Sequence, residues 1–76
     1  MMYSETNLPR VLGALHDLLD ELSSEIDLHY EDDELPGTTP TIEKMRTASE
    51  VLILSGMKLP EAYIHIQGRV ARCAAA

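Results

Sequence analysis

The sequence predicts an all-α fold: a three-helix domain in which a long first helix precedes a helical hairpin, and which dimerises. Apolar residues recur at alternating three- and four-residue steps in three separate segments, the spacing that places side chains on one face of a helix. Proline and glycine lie between these segments and mark turns. The 76 residues allow one domain at most, which we assign to residues 1–76 with an acidic loop at about 30–40.

The first helix is predicted from about Thr6 to His29. We expect its inner stripe to contain five apolar residues, with three more that widen it by one position. The five are Leu8, Val11, Leu15, Leu18 and Leu22, and the three are Leu12, Leu19 and Ile26. Pro9 is compatible with the first turn, where its missing N–H has no intrahelical partner. The candidate N-caps are Ser4, Thr6 and Asn7.

The second helix is predicted from about Pro40 to Ser55, with Thr39 as its N-cap and Pro40 at the first helical position. Gly56 is expected to end this helix, because glycine adopts the left-handed conformation that closes helices. Residues 51–54 are apolar on every side of the helix and need to be covered by the fold or by a second copy.

The third helix is predicted from about Pro60 to Cys73, because its apolar residues again alternate four- and three-residue steps. These residues are Leu59, Tyr63, Ile66, Val70 and Cys73. The alternative is a β-hairpin formed by residues 51–54 and 63–66, which are rich in β-branched side chains. The helix is preferred because Pro60, Glu61 and Ala62 suit a helix start.

Charge is distributed unevenly along the chain. Residues 1–36 carry ten acidic side chains and one basic one, whereas residues 37–76 carry three acidic and five basic ones. Carboxylates near the end of the first helix oppose its dipole, because a helix C-terminus favours cations. We therefore expect an acidic surface that binds a basic partner protein, such as the nucleic-acid groove of an enzyme. The expected contact residues are Asp17, Asp20, Glu21, Asp27, Glu31, Asp32, Asp33 and Glu34.

Self-association is expected from the small size of the chain. A domain this short buries only about 60% of its unfolded surface, and such domains commonly rely on disulfides, metals or oligomerisation. The single cysteine excludes an internal disulfide. We therefore expect a homodimer, whose contact residues are Val51, Ile53, Leu54 and Ile64.

Catalysis and cofactor binding are not expected. Cys73 and His65 lie about two turns apart on one helix, too far for a hydrogen bond, so no catalytic residue is assigned and the chain is not predicted to be an enzyme. A potential metal cluster around His29 lacks the glycine and distal glutamate of a calcium loop. No metal site is assigned.

The cellular environment is indicated by features that the sequence does not contain. Its start has no basic n-region or long apolar stretch, and no apolar run reaches the length of a membrane span. The net charge of −7 disfavours direct contact with nucleic acid or anionic lipid. We expect a cytoplasmic protein that binds neither.

Three interpretations of function remain open. The preferred one is a small acidic protein-binding module that inhibits or regulates its partner, as a phage or mobile-element antagonist or an immunity-like protein would. The first alternative is a helix-turn-helix transcriptional regulator, because the two later helices are joined by a short link. The residues that could face DNA are Lys58, His65, Gln67, Arg69 and Arg72. The second is a dimeric scaffold subunit without activity of its own.

Overall fold

Three α-helices and one short 3-10 helix form the fold of the computed structural model, which describes residues 7–75. α1 spans Leu8–His29, the 3-10 helix spans Asp32–Thr38, α2 spans Thr39–Leu54 and α3 spans Glu61–Ala75. This part of the chain contains no strand. The all-α, three-helix prediction is therefore confirmed, and the hairpin alternative is wrong.

The helix starts differ slightly from the predicted ones. Asn7 is the N-cap residue of α1 but makes no side-chain capping bond, and Ser4 and Thr6 lie outside the described residues. Thr39 was the predicted N-cap of α2, but its dihedral angles are already helical (φ −50°, ψ −46°). Thr38 is the N-cap residue instead, because the preceding 3-10 helix runs directly into α2.

The predicted acidic loop contains an ordered 3-10 helix. A capping box begins it: the Glu31 side chain accepts from the Glu34 backbone, and the Glu31 N–H donates to Glu34 Oε1 over 2.8 Å. Leu35 is buried and fixes the segment to the core. The Thr38 hydroxyl donates to the Leu35 carbonyl over 2.7 Å and supports the last turn. A local capping interaction and one apolar anchor therefore order this segment.

The end of α2 is closed as predicted by Gly56, whose φ is +79°. The Met57 N–H donates to the Leu52 carbonyl over 2.9 Å, and the Gly56 N–H donates to the Ile53 carbonyl over 3.0 Å. This pair of bonds is the Schellman motif, which satisfies the last carbonyls of a helix and requires a left-handed residue. The chain then turns through residues 55–60 into α3.

The core lies where α1 packs against α2 and α3, with the 3-10 helix packed between the ends of α2 and α3. Aliphatic side chains dominate it, as the near absence of aromatic residues predicts. The buried apolar residues are Leu19, Ile26, Leu35, Ile42, Met45, Leu52, Tyr63 and Ile66. Ser23 is also fully buried, and its hydroxyl donates to the Leu19 carbonyl over 2.7 Å, so its polar atom is satisfied.

The buried stripe of α1 is rotated relative to the predicted one. Leu19 and Ile26, which were expected only to widen the stripe, are its most buried members. Four of the five residues expected at its centre are exposed: Leu8, Val11, Leu18 and Leu22. The apolar arc of α1 is wider than the part of the helix surface that α2 and α3 cover. The spacing of the apolar residues alone therefore does not predict which part of the arc is buried.

Two leucines near the end of α2 provide a matched test of this packing. Leu52 is 0% exposed and Leu54 is 87% exposed. We expect Leu52→Ala to lower the free energy of unfolding by about 2–5 kcal/mol, because it removes buried methyl groups and leaves a cavity. Leu54→Ala should change it by less than about 0.5 kcal/mol. Urea denaturation followed by circular dichroism measures both, and equal losses would contradict this arrangement of α2.

Candidate functional site

Arg69 is the most heavily bonded side chain among the described residues. It lies on α3, is only 8% exposed, and points towards the C-terminal end of α1. Its Nε donates to Asp32 Oδ1 over 2.9 Å, and its Nη1 donates to Asp27 Oδ1 over 3.0 Å. Its Nη2 donates to the Tyr30 carbonyl over 2.8 Å. One guanidinium therefore joins three elements of the fold.

The electrostatics of this contact keep Arg69 charged. The hydrogen bond that Arg69 donates to Asp32 raises the pKa of Arg69 above its ordinary value. Burial opposes this by disfavouring the charge, and the hydrogen bond to Asp27 raises the pKa again. The raised pKa means that Arg69 stays charged, and its contribution to stability is lost only as the pH rises through that raised value. The contact therefore operates throughout the physiological range.

Two further groups on α3 contact the same two aspartates. His65 Nε2 lies 3.2 Å from Asp27 Oδ1. The Cys73 thiol donates to the Asp32 carbonyl over 3.4 Å. Cys73 is half-buried and forms part of the contact between α3 and the 3-10 helix. We name Arg69, His65, Asp27 and Asp32 the Arg69 cluster.

The cluster and the capping box together give an intramolecular role to half of the predicted partner-contact residues. Asp27 and Asp32 bind Arg69, and Glu31 and Glu34 form the capping box. The dipole of α1 disfavours the carboxylate of Asp27 near the end of the helix. Arg69 compensates the charge of this carboxylate. Asp27 and Asp32 keep 37% and 64% of their side chains exposed, and their contact with a partner stays a prediction.

The remaining predicted contact residues are exposed. Asp17, Asp20 and Glu21 lie on α1 on the side away from the core, and Asp33 lies at the start of the 3-10 helix. Asp17 is 88% exposed, and its Oδ1 lies 3.6 Å from His16 Nδ1. We name Asp17, Asp20 and Glu21 the α1 acidic face. Their spacing of three and four residues places like charges beside one another on the helix surface.

Sequence reasoning missed the role of Arg69, which it placed among residues that could face DNA. The position carried a signal: Arg69 follows Ile66 by three residues and precedes Cys73 by four, so it lies beside the apolar stripe of α3. A cation there is either a surface residue or a buried one with carboxylate partners. Those partners are about forty residues away in sequence, which spacing within one helix does not reveal.

The predicted self-association residues are all exposed, but they do not share one surface. Val51, Ile53, Leu54 and Ile64 are each at least 43% exposed. At about 100° per residue, Val51 and Ile53 lie on opposite sides of α2. Leu52 between them is completely buried, so the fold itself covers one side of this apolar segment.

A shallow apolar groove of about 310 Å³ lies between α1 and α2. Leu15, Leu18 and Leu22 line it from α1. Lys44 and Ala48 line it from α2. Leu18 and Leu22 are exposed on this side of α1.

Residues 7–75 contain no group of three or more histidine, cysteine and acidic side chains placed to hold a metal ion. None of the helices in this range combines the length and the apolar character needed to cross a bilayer. No family model, curated protein sequence or solved structure matches the chain. The exposed surfaces of the chain are therefore the basis for inferring its function.

The Arg69 cluster predicts a specific stability difference between two arginines of α3. We expect Arg69→Met to lower the free energy of unfolding by about 2–3 kcal/mol, because it removes charge-assisted hydrogen bonds and leaves two carboxylates together. Arg72→Met is the control, since Arg72 is exposed one turn later, and should have an effect below about 0.5 kcal/mol. Urea denaturation at pH 7 measures both; an Arg69→Met protein as stable as the Arg72→Met protein would contradict the cluster.

Proposed function

We propose that this chain is a non-enzymatic protein-binding module that inhibits or regulates a basic partner protein through the α1 acidic face. The observation that supports this most is the exposure of Asp17, Asp20 and Glu21 together on one side of a helix that the core holds rigidly. Like charges three and four residues apart destabilise a helix by about 0.2–0.5 kcal/mol per pair. Arginine or lysine side chains of a partner would relieve this repulsion.

The bonding of Arg69 within the chain also supports a basic partner. The net charge of the chain is −7, and one of its six basic side chains is committed to the Arg69 cluster. The α1 acidic face is separated from that cation, because Arg69 binds the C-terminal end of α1 rather than its middle. A basic protein surface approaching the middle of α1 therefore meets an uncompensated negative potential, which accelerates encounter between complementary surfaces.

The helix-turn-helix alternative has weaker support. Its most favourable residue, Arg69, directs all three guanidinium nitrogens to carboxylates and carbonyls of the same chain. Arg72 and Lys58 are then the exposed cations in and just before α3. Sequence-specific DNA binding needs several phosphate contacts as well as contacts to base edges, which these two cations alone do not provide.

The first test reverses charge on the α1 acidic face without touching the Arg69 cluster. Affinity capture from a host lysate with the wild-type chain should retain a basic protein, and Asp17→Lys with Asp20→Lys should lose it. The control is Glu43→Lys with Glu50→Lys, which makes the same change in net charge on the exposed side of α2. Mass spectrometry of the captured proteins compares the three baits.

With the captured protein purified, binding kinetics decide the mechanism. We expect the α1 double variant to reduce the association rate at least tenfold at low salt and to flatten its salt dependence, because surface charges act mainly on encounter. The control pair should change the rate much less. If both variants bind as fast as wild type, the α1 acidic face is only a solvated surface and the proposal is wrong.

The second test concerns DNA. We expect no sequence-specific shift of duplex DNA in a gel at ~50 mM salt, a condition that favours any phosphate contact. Selection from random duplexes extends the test to unknown sites. An enriched palindrome whose binding is lost in Arg72→Ala would instead favour the transcriptional regulator.

A further inference from the structure

Four exposed apolar residues of α1 form a band that the single chain leaves uncovered. They are Leu8, Val11, Leu18 and Leu22, of which Leu18 is 57% exposed. Leu28, which is 76% exposed, lies outside this band. With about 100° between successive residues, these four fall within an arc of about 80°. An arc this narrow, repeated over four turns, is the pattern of a helix face that packs against another helix.

The band continues across the groove onto α2. Leu22 lies beside Thr41, and Leu15 and Leu18 share the groove with Lys44 and Ala48. The two helices are therefore antiparallel, since the C-terminal half of α1 meets the N-terminal half of α2. Val51 is exposed one turn beyond Ala48 on the same side of α2, level with the start of α1. We name Leu8, Val11, Leu18, Leu22 and Val51 the α1–α2 face.

We propose that a second copy of this chain covers the α1–α2 face, so that two antiparallel helix pairs form a four-helix bundle. Charged residues at the two edges of the α1–α2 face favour a second copy of the chain as its occupant. Glu21 stands at the outer edge of α1, three residues from Leu18 and therefore next to it on the helix surface. Lys44 stands at the α2 edge, at the height of Leu18 and Leu22.

A twofold axis parallel to the helices makes these edges complementary. Such an axis lays α1 of one copy over α2 of the other and preserves height along the bundle. Glu21 of each copy then meets Lys44 of the other, which gives two symmetric ion pairs at the rim of an apolar interface. An axis perpendicular to the helices would instead place α1 of one copy over α1 of the other, so that the two acidic edges would lie against each other. The charges therefore select one of the two symmetric arrangements.

This dimer differs from the one that the sequence predicts. Val51 is common to both, but Leu54, Ile53 and Ile64 lie outside the α1–α2 face. Glu21 belongs to both the α1 acidic face and the edge of the α1–α2 face. Asp17 and Asp20 lie further around α1 and stay exposed in the bundle, so the dimer leaves these two carboxylates open to a partner.

The experiment is sedimentation equilibrium of the full chain from about 10 to 500 µM, the range in which weak dimers of small proteins dissociate. Wild type is expected to sediment as a dimer at the upper concentrations. Leu18→Glu should sediment as a monomer with an unchanged helical circular dichroism spectrum, because Leu18 is exposed in the single chain. Leu54→Lys is the control off the face and should dimerise as wild type does.

Charge exchange tests the orientation of the two copies. Glu21→Lys and Lys44→Glu should each raise the dimer dissociation constant about tenfold at low salt, because each replaces two attractive pairs with repulsive ones. The double variant should return it to within about threefold of wild type.

Several results would overturn the proposal. They are a wild-type monomer at about 500 µM, a dimer that Leu54→Lys breaks and Leu18→Glu does not, or a double variant that fails to recover. Partner binding by the Asp17→Lys, Asp20→Lys protein is measured separately, so failure of the dimer does not affect the proposed function.

Discussion

The contact between Arg69 and the carboxylates of Asp27 and Asp32 is the constraint on which the rest of the structure depends. It joins α3 to the end of α1 and to the start of the 3-10 helix, which in turn leads into α2. Without a cation, the acidic residues between α1 and α2 would repel one another. A partly buried ion pair of this kind adds little to stability compared with an apolar contact of equal size, but losing one partner is costly. The Arg69 contact therefore disfavours arrangements of the helices that separate this cation from its carboxylates.

The contact also divides the acidic residues by role. Asp27 and Asp32 balance Arg69, whereas Glu31 and Glu34 close the 3-10 helix. The α1 acidic face is left outside both arrangements, in the middle of α1. In residues 31–34, by contrast, three of the four carboxylates already make contacts within the chain. This favours the middle of α1 over that segment as the surface for a partner.

The apolar arc on α1 is wide enough to serve two surfaces of the helix. One side of the arc packs into the core through Leu19 and Ile26, and the other remains exposed as the α1–α2 face. The α1 acidic face lies beyond it around the helix, with Glu21 at the boundary. A dimer through the α1–α2 face would therefore present Asp17 and Asp20 of each copy to solvent. Bivalent presentation of that kind raises apparent affinity for a partner with two basic sites.

The sequence by itself determined the helices, since period, proline and glycine are local signals. It located α1, α2 and α3 to within two residues and the left-handed closure at Gly56. It also determined the excess of acidic charge in the first half of the chain. Only the tertiary structure decided which side of α1 is buried, because an arc of apolar residues wider than one contact fits several rotations. It also decided which carboxylates are internal, because their cation, Arg69, lies about forty residues away, and local patterns carry no information about pairing over such a separation.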